Sequence, residues 1–194
     1  MIAALYVEPA GVYAGLAGVD PWPATRDARA YAGPWPVVAH PPCSSWCQIA
    51  HVNRKRYGHA VGDDGGCFAA ALGAVRRWGG VLEHPALSYA WPAFGLPRPV
   101  LGGWRRDLVD GGWVTEVHQS AYGHPARKAT WLYYVGAADP PALDWSSPPP
   151  TATVSYLANH GGLPRPRLTK KAAKQTPAAF RDLLLGIAER AAAL

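Results

Sequence analysis

The chain is poor in charge. Only 16% of its 194 residues are Asp, Glu, Lys or Arg, against 49% hydrophobic, and that balance excludes a disordered or solvating chain. It has one Met and three Cys, so neither a plastic methionine surface nor a disulfide framework is on offer. It shows no internal repeat and no apolar run near the roughly 18 residues of a membrane span. No basic segment precedes the apolar start, and Glu8 interrupts it, so a secretory leader is not expected. The expected setting is a reduced cytoplasm, with no membrane partner.

What the chain has in excess is Gly (21), Pro (20) and Trp (9). The Gly and Pro follow no three-residue period, so they mark many turns and short elements rather than collagen. Nineteen basic against thirteen acidic residues give a net charge of +6 and a pI near 9.4. A field of that sign attracts polyanions and makes nucleic acid the first partner to consider.

Breakers bound short apolar runs. Residues 3–7 and 36–40 read as buried strands, the second stopped by Pro41-Pro42, with Gly11, Gly15 and Gly18 punctuating a loop or weak helix between them. A polar, basic stretch covers residues 44–56. Phe68, Leu72 and Val75 recur at helical spacing, predicting a helix over Cys67–Trp78, and Gly79-Gly80 ends it before a strand at Val81-Leu82-Glu83. That order is the grammar of a parallel α/β sheet. A Trp- and Pro-rich loop follows to about Arg106. Residues 113–118 and 130–135 read as an antiparallel pair, residues 137–166 as Pro-rich and irregular, and Pro177 opens a last helix carrying Phe180, Leu183, Leu184, Ile187 and Ala191. The expectation is one α/β domain over residues 1–194.

Three strings carry possible chemistry. In His40-Pro41-Pro42-Cys43-Ser44 a stiff loop presents a thiol at the carboxyl end of a predicted parallel strand, where open α/β sheets place ligands. A thiolate there suits addition to an electron-poor ring carbon; the alternative is a small residue buried at a strand end. Glu83, at the next strand end and followed by His84, would share that crevice and meet a pyrimidine at N3, or else cap a loop in solvent. Arg127 and Lys128 precede the last strand and reach toward a phosphate or base, or simply begin a strand. A fourth pattern, His40, Cys43, Cys47 and His51, has zinc-ligand residue types, although two prolines between the first two fit ordinary finger spacings poorly.

In their order, Pro41-Pro42-Cys43, Leu82-Glu83-His84 and Tyr122-Gly123-His124-Pro125 with Arg127-Lys128 and the strand to Gly136 resemble the DNA cytosine-5 methyltransferase family. Arg167-Leu168-Thr169-Lys170-Lys171 looks like a later segment of it. The likeness spans about residues 3–136 and, loosely, 165–190. It implies a reduced Rossmann-like, mostly parallel sheet with a terminal antiparallel pair, and DNA as partner. It also implies Cys43 as nucleophile toward C6 of a pyrimidine, with Glu83 and Arg127 as catalytic partners and Pro42, Ser44, His84 and Lys128 lining the substrate.

The sequence departs from the family where S-adenosylmethionine is held. Glu8-Pro9-Ala10-Gly11 stands in place of a Phe-x-Gly-x-Gly loop, and thirty residues, 137–166, are too few for a target-recognition domain. What the resemblance leaves is the half-site for the pyrimidine. It fits a phage-type enzyme, working in the bacterial host cytoplasm, that modifies a 5-hydroxymethyl-derived pyrimidine. Glu8 would then receive an amine nucleophile. The alternatives are an S-adenosylmethionine-dependent methyltransferase and a zinc-stabilised binding module without catalysis.

Overall fold

A computed structural model describes residues 1–51, 58, 60–154 and 165–191. The basic residues Arg54, Lys55 and Arg56, and residues 155–164 of the Pro-rich segment, lie outside the described residues. Seven strands form one sheet: β1 (Ile2–Leu5), β2 (Val19–Trp22), β3 (Val37–Ala39), β4 (Gly80–Pro85), β5 (Arg105–Arg106), β6 (Trp113–His118) and β7 (Ala129–Val135). Their spatial order is β2-β1-β3-β4-β7-β6-β5. Pairings are parallel from β2 through β4 and antiparallel from β4 through β5. The chain is thus α/β with a mixed sheet. No helix among the described residues is long and apolar enough to cross a membrane.

Two corrections to the strand expectations have one cause. Where the glycines suggested a loop or weak helix, Val19–Trp22 forms β2; its four residues are all half-buried and one is Pro21. A strand containing Pro is tolerated at a sheet edge, where the missing N–H faces no neighbour. At the other edge, β5 lies beyond the expected antiparallel pair, so that pair is not terminal. Its two exposed arginines discourage further strand addition, as edge charges do.

Helix α1 (Cys67–Trp78) forms where the spacing put it. The Asp64 carboxylate accepts from the amides of Gly66 and Phe68 and caps its start. Gly80 then lets β4 come against β3: a Cβ there would stand 2.0 Å from the Val37 carbonyl oxygen. The short helix α2 (Ala90–Ala93) interrupts the Trp/Pro-rich loop, and α3 (Lys170–Lys174) precedes α4 (Ala178–Ala191). One side of the sheet buries Leu5, Ala39, Leu82 and Tyr133 beneath Phe68, Leu72 and Val75 of α1. The other buries Ala4, Val38, Val81 and Leu132 beneath Phe180, Leu184 and Ile187 of α4.

The antiparallel half of that second side is covered by the start of the irregular segment. Leu143 and Trp145 pack on the core there, and the indole N–H groups of Trp104 and Trp145 donate to the Pro141 carbonyl and to Thr115. A Pro-rich strap with few backbone donors thereby takes the place of a helix.

Candidate functional site

The parallel strands read 2-1-3-4 across the sheet, so the chain reverses direction of growth between β1 and β3. Open α/β sheets bind ligands at such a reversal, outside the carboxyl ends of the strands. His40 leaves β3 at that end on the same side as Val38, and Glu83 lies on the same side as Val81. His40 Nδ1 meets Glu83 Oε2 at 2.9 Å, and both side chains are 14% exposed. His40 Nε2 meets the hydroxyl of buried Tyr13 at 2.8 Å. Tyr13 is positioned by the turns after β1, and Arg181 of α4 holds the adjacent Val12 carbonyl at 3.0 Å.

Cys43 follows two prolines and begins a compact turn whose amides at Trp46 and Cys47 donate to its own carbonyl. Buried Trp46 anchors the turn: its ring lies against Phe68 and Phe94, and its indole N–H donates to Asp64 at 2.8 Å. The same Asp64 caps α1, so helix start and thiol loop are fixed by one carboxylate.

The hairpin supplies the rest. Because β7 runs antiparallel to β4, its first residues lie at the carboxyl end of β4. Lys128, just before β7, adopts φ 41°, an unusual left-handed conformation for a lysine. Its ammonium donates to the carbonyls of Gln175 at 2.8 Å and Lys174 at 3.4 Å. Gln119, buried after β6, donates to Thr130 at 3.0 Å and to Glu83 Oε1 at 3.4 Å.

The electrostatics tie these groups together. Burial opposes ionisation of Glu83, but the His40 hydrogen bond and charge, helped by Lys128, outweigh it and hold the carboxyl below its ordinary range. Burial pushes the Cys43 thiol up; the Glu83 and Cys47 charges push the same way, and Lys174 opposes them. Burial also lowers the Lys128 ammonium, and the charges of Glu83 and Cys43 pull it back up. Cys43, Glu83 and Lys128 are therefore electrostatic neighbours at the carboxyl ends of β3 and β4.

The other expected residues fall elsewhere. His84 points to the opposite side of the sheet, fully buried between Phe68 and Trp91 with Nδ1 on Ser88 at 2.8 Å; one residue along a strand reverses the side chain. It does not line the cleft. Arg127 is exposed, and its side chain makes no hydrogen bond or ion pair among the described residues; the neighbouring Lys128 rests its ammonium on the Gln175 and Lys174 carbonyls and acts on Glu83 by its charge. Pro42 and Ser44 are exposed on either side of Cys43. Glu8 is exposed in a turn, its carbonyl held by the Gly11 amide. Tyr13 and Gln119 had no role in the sequence reading, and His40 appeared only as a zinc ligand.

Neither of the two groups that the alternatives require fits these residues. After β1 the chain runs through turns to β2 with no helix, so no glycine-lined loop leads to a helix N-terminus that would cradle S-adenosylmethionine. Both ring nitrogens of His40 are taken by Glu83 and Tyr13, and His51 packs its ring on Tyr89. Among the described residues no three His, Cys, Asp or Glu side chains group to hold a metal ion. No protein-family model matches the sequence, and no curated protein or solved structure matches it.

Proposed function

We propose that the chain is a DNA-modifying transferase that acts at C5 of a pyrimidine through a covalent bond between Cys43 and C6. The observation that carries the reading is that Cys43 follows three residues after His40, whose ring meets Glu83 at the carboxyl ends of β3 and β4, with Lys128 entering β7 at that same end. The 2-1-3-4 strand order with its crevice between β1 and β3 supports a reduced Rossmann-like relationship.

Glu83 favours one kind of ring. Its oxygens already accept from His40 and Gln119, and an ionised carboxylate accepts further hydrogen bonds but donates none. It therefore pairs with a uracil-type ring, whose N3 carries hydrogen, in preference to cytosine, whose N3 needs a donor. Binding N3–H disperses the carboxylate charge that raises the Cys43 thiol, and the Lys174 ammonium favours the thiolate. The thiol proton leaves to water, and sulfur bonds to C6. The C5–C6 π pair then expels a leaving group from the C5 methylene as an anion. An amine adds to the resulting exocyclic methylene, sulfur departs from C6 to restore the double bond, and the amine loses a proton. Such chemistry needs no methyl donor, in keeping with the turns that follow β1.

Nucleic acid as partner is supported by the net charge of +6 and by the place of α3. The carbonyls at its end hold Lys128, so exposed Lys170, Lys171 and Lys174 flank the cleft, where they suit a phosphate backbone.

The test is mass spectrometry of the nucleosides from an oligonucleotide whose uracil carries a leaving group on the C5 methylene, incubated with a small primary amine. The aminated nucleoside is expected with the wild type and with Cys47→Ser, and none above the protein-free level with Cys43→Ser. Product that persists in Cys43→Ser, or no product in the wild type, overturns the reading.

A further inference from the structure

Away from Cys43, where the Pro-rich strap meets the end of β6, a hydroxyl, an imidazole and a carboxylate stand in a row. Ser147 Oγ lies 2.7 Å from His118 Nδ1, and His118 Nε2 lies 3.4 Å from Glu116 Oε1. Glu116 is itself fixed, because its Oε2 accepts from the Trp131 indole N–H at 2.7 Å. Glu116 and His118 are two residues apart on β6 and so share one face of the strand. Ser147 is held by its neighbours in the strap. The Asp144 carbonyl accepts from the Tyr122 hydroxyl, the Asp144 amide donates to that same oxygen, and the Trp145 indole donates to Thr115. Pro148, Pro149 and Pro150 stiffen the exit. None of these residues serves the site described above.

A tie between strap and sheet explains the Ser147–His118 contact alone, but three further features suit chemistry. The carboxylate beside Nε2 keeps the ring proton on that nitrogen, so Nδ1 is left to accept from the serine hydroxyl. Ser147 is exposed whereas His118 is 7% exposed, so the nucleophile is open to solvent and its base is shielded. The Ser147 amide makes no hydrogen bond among the described residues, which leaves a donor next to the hydroxyl for an oxyanion. A nucleophile on a base that a third group orients is the signature of covalent catalysis. We propose that Ser147 and His118, positioned by Glu116, form an acyl-transfer site for a small ester. Half-exposed Val100 and Leu101 run beside Glu116 and offer an apolar surface to the acyl chain. The Ser147 proton passes to His118 Nδ1 as Oγ bonds to the ester carbon, and the carbonyl π pair moves onto oxygen. That pair returns, the ester C–O bond breaks, and the leaving alkoxide takes the proton from His118. Water then repeats the sequence on the acyl-serine, releasing the acid and restoring Ser147. An ester suits a site with one oxyanion donor better than an amide, because its alcohol leaves more readily than an amine.

The experiment treats the full-length protein with a fluorophosphonate, which phosphonylates serines activated by a histidine, and maps the label by peptide mass spectrometry. The proteins are the wild type, Ser147→Ala, His118→Gln and Glu116→Gln, checked by circular dichroism. Hydrolysis of p-nitrophenyl butyrate above the Ser147→Ala rate is followed on the same samples. We expect the wild type to carry the label on Ser147. We expect His118→Gln to slow labelling about a hundredfold or more, the scale of a lost general base. In Glu116→Gln the amide oxygen still accepts from Trp131, so the packing contact survives. The kcat for the ester should then fall with KM unchanged, whereas a merely structural role would leave kcat in place. No label on Ser147 in the wild type, or a label that forms as fast in His118→Gln, overturns the proposal, and so does a Glu116→Gln protein with the wild-type kcat.

Discussion

Replacing Tyr13 by Phe removes one hydroxyl and tests whether Tyr13, His40 and Glu83 act as one unit. The hydroxyl lies 2.8 Å from His40 Nε2, and Tyr13 is 3% exposed. Losing a bond of that kind and leaving a shielded imidazole nitrogen without its partner costs about 1–2 kcal/mol. Glu83→Gln exchanges a charge-assisted bond for a neutral one, since the amide oxygen still accepts, and costs a similar 1–2 kcal/mol or so. The two costs are not independent. The His40 ring has one orientation in which Nδ1 faces Glu83 and Nε2 faces Tyr13. Breaking either contact releases the ring and weakens the other, so the double variant should cost less than the sum by about 0.5–1.5 kcal/mol. Urea unfolding at pH 7 of the four proteins measures this, provided that the m-values agree. Costs that add to within about 0.3 kcal/mol would refute the coupled triad.

Two further outcomes follow from the buried charges. Burial holds His84 down to about 4, so between pH 6.5 and 4 the unfolded chain takes up a proton that the folded chain refuses. Stability contributed by neutral His84 is complete above pH 6.5 and falls by roughly 3 kcal/mol toward pH 4; His84→Gln should flatten urea-derived stability over that window, and an unchanged slope would count against it. At the strand ends, the pH at which Cys43 becomes reactive toward iodoacetamide should rise in Lys174→Met and fall in Glu83→Gln, with Cys43→Ser as the blank. Shifts of the same sign in both variants would mean that the three groups are not electrostatic neighbours.

The parts of the fold written in breakers and periodicity were legible in the sequence. Pro41-Pro42 ended β3, Gly79-Gly80 separated α1 from β4, and the 3.6-residue spacing of Phe180, Leu184, Ile187 and Ala191 marked the buried stripe of α4. The two edge strands were not legible, because edge strands lack the apolar signature that burial on both sides imposes: β2 contains a proline and β5 is two arginines. For the site, Cys43 and Glu83 were visible from their places after strands. Strand parity would also have found His40, since it alternates with Val38 just as Glu83 does with Val81, and would have turned His84 away. Tyr13 had no signal, because its position depends on how turns after β1 fold back over β3.

The direction of β7 explains how so short a chain assembles the cleft. A parallel strand beside β4 would begin at the opposite end of the sheet, and only its far end, after a crossover of a dozen or more residues, would approach Glu83. The antiparallel β7 instead brings its first residues there, and β6, antiparallel to β7, delivers Gln119 to the same end. The hairpin turn between them therefore supplies Gln119 and Lys128 together, while β3 and β4 supply His40, Cys43 and Glu83. The region after β1 contributes Tyr13, which touches His40. In the proposed chemistry, ring activation and donor binding are thus physically separable. A protein that keeps only the first must find its leaving group on the substrate, and the C5 methylene is the position from which addition at C6 can expel one.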